Sequence, residues 1–175
     1  DSHRLGTWTA RPLFLSSASR GKRCTMPGEA MESIESRSDT RNKLIAASPD
    51  QVFAAMRDPA RVAKWWGPAG FTNTIQKYEF MPGGSWLLTM HGPDGKDYPN
   101  ESRFTRIVAD QLFEVEHLGG HHFVLTIELR PHAQGTTVAW RQTFDTTEHY
   151  NRLAEFVAAA NEQNLERLAA EVVSG

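Results

Sequence analysis

Residues 71–144 read FTNTIQKYEFMPGGSWLLTMHGPDGKDYPNESRFTRIVADQLFEVEHLGGHHFVLTIELRPHAQGTTVAWRQTF, and this stretch decides the fold. It divides into six runs: 71–80, 85–91, 100–108, 112–117, 122–130 and 136–144. Between them lie Met81-Pro82-Gly83-Gly84, Gly92-Pro93-Asp94-Gly95, Ala109-Asp110, Gly119-Gly120 and the segment from Pro131 to Gly135. Runs rich in β-branched and aromatic residues, separated by Gly/Pro turns, read as consecutive antiparallel hairpins. No helical segment interrupts them, so parallel crossovers are not expected.

Outward from this block, each flank is helical. On the N-terminal side, 41–47 reads as a first strand, and Ser48-Pro49-Asp50-Gln51 opens a helix. Ser48 can cap it, Pro49 suits the first helical position, and Gln51 completes a capping box. That helix carries Val52, Phe53 and Met56. Asp58-Pro59 stops it and starts a second short helix, which carries Val62, Trp65 and Trp66 and ends at Gly67-Pro68. On the C-terminal side, 148–172 contains no Gly or Pro. Tyr150, Leu153, Val157, Leu165, Leu168 and Val172 recur there at three- and four-residue steps, with Asn161 and Asn164 on the same stripe. Arg152, Glu155, Glu162, Glu166 and Arg167 are read as its solvated face. The expected fold class is α+β: a curved antiparallel seven-stranded sheet wrapped around a long C-terminal helix, with two short helices after the first strand. Sheet and helix are expected to leave an elongated pocket between them.

Charge separates a tail from the domain. Residues 1–23 hold Arg4, Arg11, Arg20, Lys22 and Arg23 against Asp1 alone, whereas residues 39–175 hold 13 basic and 17 acidic residues. Residues 1–38 are therefore read as a disordered tail or artefactual extension, with an organellar transit peptide as the second reading, and 39–175 as the folded domain. With a net charge of −2, the chain is not expected to bind nucleic acid by phosphate attraction. No apolar run approaches the roughly 20 residues of a membrane helix. Cytoplasmic residence is expected. Cys24 is the only cysteine, which excludes an internal disulfide framework and a cysteine zinc site.

The order of motifs resembles the helix-grip superfamily, which includes START lipid-transfer domains, plant pathogenesis-related proteins and polyketide cyclases (the START-like or SRPBCC group). Within it, the chain is most similar to the family named after the activator of the heat-shock protein 90 ATPase. The resemblance runs from about residue 40 to the C-terminus and is carried by five segments. These are Ala47-Ser48-Pro49-Asp50-Gln51-Val52-Phe53, Trp65-Trp66-Gly67-Pro68, Pro82-Gly83-Gly84-Ser85-Trp86, Gly92-Pro93-Asp94-Gly95 and Asn164-Leu165-Glu166-Arg167-Leu168. It implies a helix-grip fold and a binding cavity. Family members often carry Tyr and Glu-Ile where this chain has Phe104, Arg106 and Ile107, and a Gly-Trp pair near Ala160-Asn161. Asn161 in place of an aromatic implies a larger, more polar pocket.

The first functional expectation is binding of a small hydrophobic or amphipathic molecule without catalysis. Trp86, Leu88, Met90, Phe104, Val115, Leu125, Trp140 and Val157 would line the pocket, and Asn161 and Asn164 would orient the ligand. Trp65 and Trp66 stand either at the pocket mouth or as lid aromatics packed on the core. His117, His121 and His122 flank a hairpin turn. They read as a polar hairpin end rather than a metal site, because adjacent strand residues point to opposite faces. Glu79, Glu101, Glu116 and Arg141 are either polar groups of a catalytic cavity or charges on the solvated sheet face. No catalytic residue, metal or cofactor is assigned. The alternatives are a cyclase- or hydrolase-like enzyme using the same cavity and a co-chaperone-like interaction module. The latter ranks last because the chain lacks the additional large domain of the eukaryotic co-chaperones. A homodimer and a chaperone are the further partners considered.

Overall fold

The computed structural model describes residues 32–175. After a 3-10 turn at Glu35–Arg37 come strand β1 (Ser38–Ile45) and helices α1 (Pro49–Arg57) and α2 (Pro59–Trp65). Six strands follow: β2 (Thr72–Tyr78), β3 (Ser85–His91), β4 (Asp97–Val108), β5 (Leu112–His117), β6 (Phe123–His132) and β7 (Gly135–Phe144). Helix α3 (Thr147–Ser174) closes the chain. All pairings are antiparallel, in the order β1-β7-β6-β5-β4-β3-β2. This is the helix-grip α+β architecture expected from the hairpin punctuation.

Local chemistry explains the element boundaries. The Gln51 carboxamide accepts the Ser48 N–H at 3.0 Å, and the Asp58 carboxylate accepts the Ala60 N–H at 2.9 Å, so both short helices start on side-chain acceptors. Strand β4 begins three residues before the sequence reading, running through Pro99. Its pairing with β5 starts only at Ser102, so Pro99 lies where β4 has a single neighbour, where a missing N–H is tolerated. Gly135 closes the β6–β7 turn with φ +141°, and a Cβ there would lie 2.1 Å from the Ile45 carbonyl oxygen. Only glycine fits both constraints.

The inner sheet face carries Trp86 and Leu88, Phe104, Phe113 and Val115, Leu125 and Ile127, and Val138 and Trp140, each pair at strand period two. Helix α3 lays Val157, Leu165, Leu168 and Val172 against the domain, as its stripe predicts, while α1 and α2 contribute Val52, Phe53, Met56, Val62 and Trp65.

The described fold starts earlier than residue 39. Ser38 pairs with Thr143 in β1, and its hydroxyl lies 2.8 Å from that of Thr143. Arg37 donates to the Phe144 carbonyl at 2.6 Å, and the Glu32 carboxylate accepts the Thr147 N–H at 2.7 Å. With the Thr146 hydroxyl accepting from His149 N–H at 3.0 Å, two orphan donors of the first turn of α3 are satisfied. The sequence reading placed residues 32–38 in the tail on the charge contrast; they join the domain through hydrogen bonds, which charge balance does not report. The remaining tail, with Cys24, lies outside the described residues. Two truncations separate these contributions. A chain starting at residue 39 should be less stable than one starting at 32 by more than about 1 kcal/mol in urea unfolding, since several hydrogen bonds are lost. Equal midpoints would show that residues 32–38 add nothing.

Candidate functional site

Rings meet across the concave face. Trp66, just after α2, lies 4.6 Å from Trp86 of β3 and 6.3 Å from Trp140 of β7, centroid to centroid. Those strands are far apart in the sheet order, so the curl of the sheet brings them to one residue. The cluster continues through Tyr78, Phe80, Phe104 and Phe113, with centroid separations of 5.1 to 5.9 Å among these four. Tyr78 donates its hydroxyl to the Met56 carbonyl, and burial of the phenol pushes its pKa up. Tyr78, Phe80 and Phe113 were not among the expected lining residues. For Tyr78 and Phe80 the available signal was alternation with the charged Lys77 and Glu79.

The two adjacent tryptophans at the end of α2 divide the roles left open by the sequence. Trp65 is a core residue, 1% exposed, its indole N–H bonded to the Ala55 carbonyl at 2.9 Å. Trp66 is half-buried. Trp86 and Trp140 are buried, and neither indole N–H has a hydrogen-bond partner.

The loop that presents Trp66 hangs on α3. Arg167 donates to the carbonyls of Trp66, Gly67 and Pro68 at 2.9–3.0 Å through Nη1, and to those of Lys64 and Phe71 at 2.8 and 2.9 Å through Nη2. The sequence reading put Arg167 on the solvated face. Its guanidinium is instead folded inward, and burial lowers its pKa. Asn164 donates to the Trp65 carbonyl at 2.8 Å and accepts the Gly67 N–H at 3.2 Å. Gly67 sits at φ +91°, the left-handed conformation that favours glycine, with the Met90 methyl packed where a Cβ would stand. Asn73 adds bonds from its Nδ2 to the Ala63 and Trp66 carbonyls at 3.0 and 2.8 Å.

Asn161 works one turn earlier. Its Nδ2 donates to Asp39 and Gln142, each at 2.9 Å, and Asp39 in turn holds Arg41 at 2.8 Å. The Arg41 pKa is raised, chiefly by the hydrogen bond to Asp39. Arg41 also reaches Glu162 at 2.8 Å. The buried amides of Asn161 and Asn164, expected to orient a ligand, are thus taken by protein partners. Aromatic and aliphatic side chains from the sheet, α1, α2 and α3 pack together between sheet and helix. Two clefts stand elsewhere. One of about 460 Å³ is lined by Gln76, Leu87, Thr89, Pro99 and Glu101, and one of about 650 Å³ by His121, Asp145, Thr146, His149 and Arg152.

The polar candidates are dispersed. Glu101 and Arg141 are exposed, and Glu79 pairs with Lys77 at 3.2 Å. His117 stacks on Phe123 and faces the His121 carbonyl at 2.7 Å; burial lowers its pKa. His121 meets His149 at 2.8 Å, whereas His122 bridges Glu116 at 2.9 Å and Asp145 at 2.7 Å. Among the described residues, no three His, Cys, Asp or Glu side chains converge for a metal.

Residues 46–172 match the family described as Activator of Hsp90 ATPase homolog 1-like protein. The chain belongs to that family. Solved structures agree on the fold. A protein from Arthrobacter aurescens is 24% identical with a TM-score of 0.74, covering 82% of this chain and 90% of its own. One from Nitrosomonas europaea is 16% identical with a TM-score of 0.73, covering 80% and 96%. An AHSA1-like protein from Aeromonas hydrophila is 17% identical with a TM-score of 0.65, covering 78% and 92%. No curated protein matches the sequence. None of the described helices is long and apolar enough to cross a membrane.

Two outcomes test this geometry. Replacing Arg167 with Met keeps the aliphatic stem and removes all five donations, so unfolding free energy should fall by about 2 kcal/mol or more. Arg167→Lys should recover little, because an ammonium cannot span the same carbonyls; a loss below about 0.5 kcal/mol in Arg167→Met would refute the clamp. His122 is the second test. Its pKa is raised, first by the hydrogen bond to Glu116 and then by that to Asp145. Its contribution is therefore present below the ordinary histidine pKa of about 6.5 and is lost as pH rises through the higher folded value. The stability difference between wild type and His122→Gln should shrink over that window, and a pH-independent difference would contradict the pairing.

Proposed function

We propose that the chain binds a small hydrophobic or amphipathic molecule on the concave face of the sheet, beneath α3 and the Trp66 loop, without transforming it. The observation that supports this reading is the continuous ring cluster running from the buried Trp86 and Phe104 to the half-buried Trp66, where it reaches solvent. Opened at Trp66, such a cluster offers a flat apolar molecule large contact area with little loss of side-chain freedom. Trp66, Trp86, Leu88, Met90, Phe104 and Trp140 are the proposed contacts. Asn161 and Asn164 act through the elements they join, as positioning residues.

Native mass spectrometry of the freshly purified full chain, with thermal scans against a panel of neutral hydrophobic compounds, tests the reading. A binder should carry an extra mass or be stabilised. At a hundredfold excess over Kd the gain is about 2.7 kcal/mol, a rise of several degrees in Tm for a domain of this size. The compound should be recovered unchanged. Its conversion would favour the cyclase- or hydrolase-like reading, and no mass and no shift across the panel would refute binding.

A further inference from the structure

We propose that Trp66 is a side-chain plug seated in a subsite for a flat, neutral, carbonyl-bearing molecule, whose oxygen accepts the indole N–H of Trp86 or Trp140 when Trp66 swings out. The proposal rests on the ligand-binding reading above and specifies the ligand chemistry. It begins from a local inconsistency. Trp65, Trp86 and Trp140 are equally buried, yet only the Trp65 N–H finds an acceptor. Buried donors are nearly always paired, and each orphan calls for an explanation. Two orphans on rings that both neighbour a third ring call for a common one.

That ring is Trp66, 4.6 Å from Trp86 and 6.3 Å from Trp140. An aromatic face is a weak acceptor at best. Trp66 therefore fills the space without supplying the oxygen atom that its neighbours lack. Its mobility is confined to the side chain. The Trp66 N–H is bonded to the Val62 carbonyl, and its own carbonyl is held by Asn73 and Arg167. A rotamer change leaves all three bonds intact, and a half-buried ring has solvent on one side into which to turn.

The occupant's chemistry follows from what Trp66 leaves behind. The vacated space has the outline of a bicyclic ring, edged by Trp65, Trp86 and Trp140. It is apolar, and two of the rings that border it carry unpartnered indole N–H groups. An ionised carboxylate would be desolvated there among rings, while the Arg167 guanidinium is committed to backbone carbonyls. A neutral carbonyl oxygen satisfies an indole N–H without bringing charge.

1-Indanone and indane have the same bicyclic outline and differ by one carbonyl oxygen, so they isolate the acceptor. With full-chain Trp66→Ala, 1-indanone should bind at least about fivefold more tightly than indane, the factor expected of one net hydrogen bond. The indole N–H resonance of Trp86 or Trp140 should move downfield in 1H–15N spectra. Wild type should bind 1-indanone more weakly than the variant, because the plug must leave. Equal affinities for the two compounds, unmoved N–H resonances at saturation, or tighter binding by wild type would each overturn the proposal. Where Trp66→Ala fails to fold, Trp66→Leu and a wild-type titration read by the same resonances decide it: a shift supports the plug, and none at ligand saturation refutes it. A hydrophobic compound that stabilises wild type and Trp66→Ala alike without moving either N–H would overturn the plug and leave the general binding reading standing.

Discussion

The structure turns on one guanidinium. Arg167 gathers five backbone carbonyls from the end of α2 and the loop between α2 and β2, and among the described residues it forms no ion pair. Carbonyl dipoles stand in for a counter-ion. The arrangement suits arginine because its planar fork presents several fixed donors at once. Without it, a loop containing Gly-Pro and a left-handed Gly67 would have few partners for its carbonyls. With it, two adjacent aromatic rings at the junction of α2 and the loop take opposite assignments: Trp65 goes into the core and Trp66 to the boundary with solvent.

Polar groups at successive turns of α3 complete this logic. Asn161, Asn164 and Arg167 step along the helix at three-residue intervals; Asn161 bonds to β1, and Asn164 and Arg167 bond to the end of α2 and the loop after it. Apolar packing is tolerant of small slips, whereas these bonds are not. The buried amides are stabilising only in one helix register, because a shifted helix would leave them desolvated and unpaired.

Much of the architecture was legible because hairpin punctuation and helix caps are local signals. Ser48-Pro49 and Asp58-Pro59 mark the helix starts at the residues where the structure has them. The alternation of Trp86 with Leu88, and of Val138 with Trp140, assigns the inner face directly. The errors arise where side chains reach across the fold. Arg167 looked solvated because charge on the polar side of a helix ordinarily is, and no period reveals that its tip turns inward. Asn161 and Asn164 were correctly read as facing inward, but their partners, Asp39, Gln142 and the Trp65–Gly67 backbone, are remote in sequence. The buried indole donors could not be anticipated, since a tryptophan in sequence does not announce whether its N–H finds an acceptor.

The distance along the chain between clamp and loop has a consequence for biosynthesis. The bonds from α3 to the loop connect residues about a hundred positions apart, with Asn164 and Trp65 separated by 99. Ribosomes deliver the loop, and then six more strands, before the helix that secures it. Contacts of such long range form late, after the intervening chain has been ordered. A nascent chain therefore passes through a stage in which the sheet can curl while its aromatic face is uncovered. That interval ends when the last 28-residue helix docks, making α3 the closing element of the fold in time as well as in sequence.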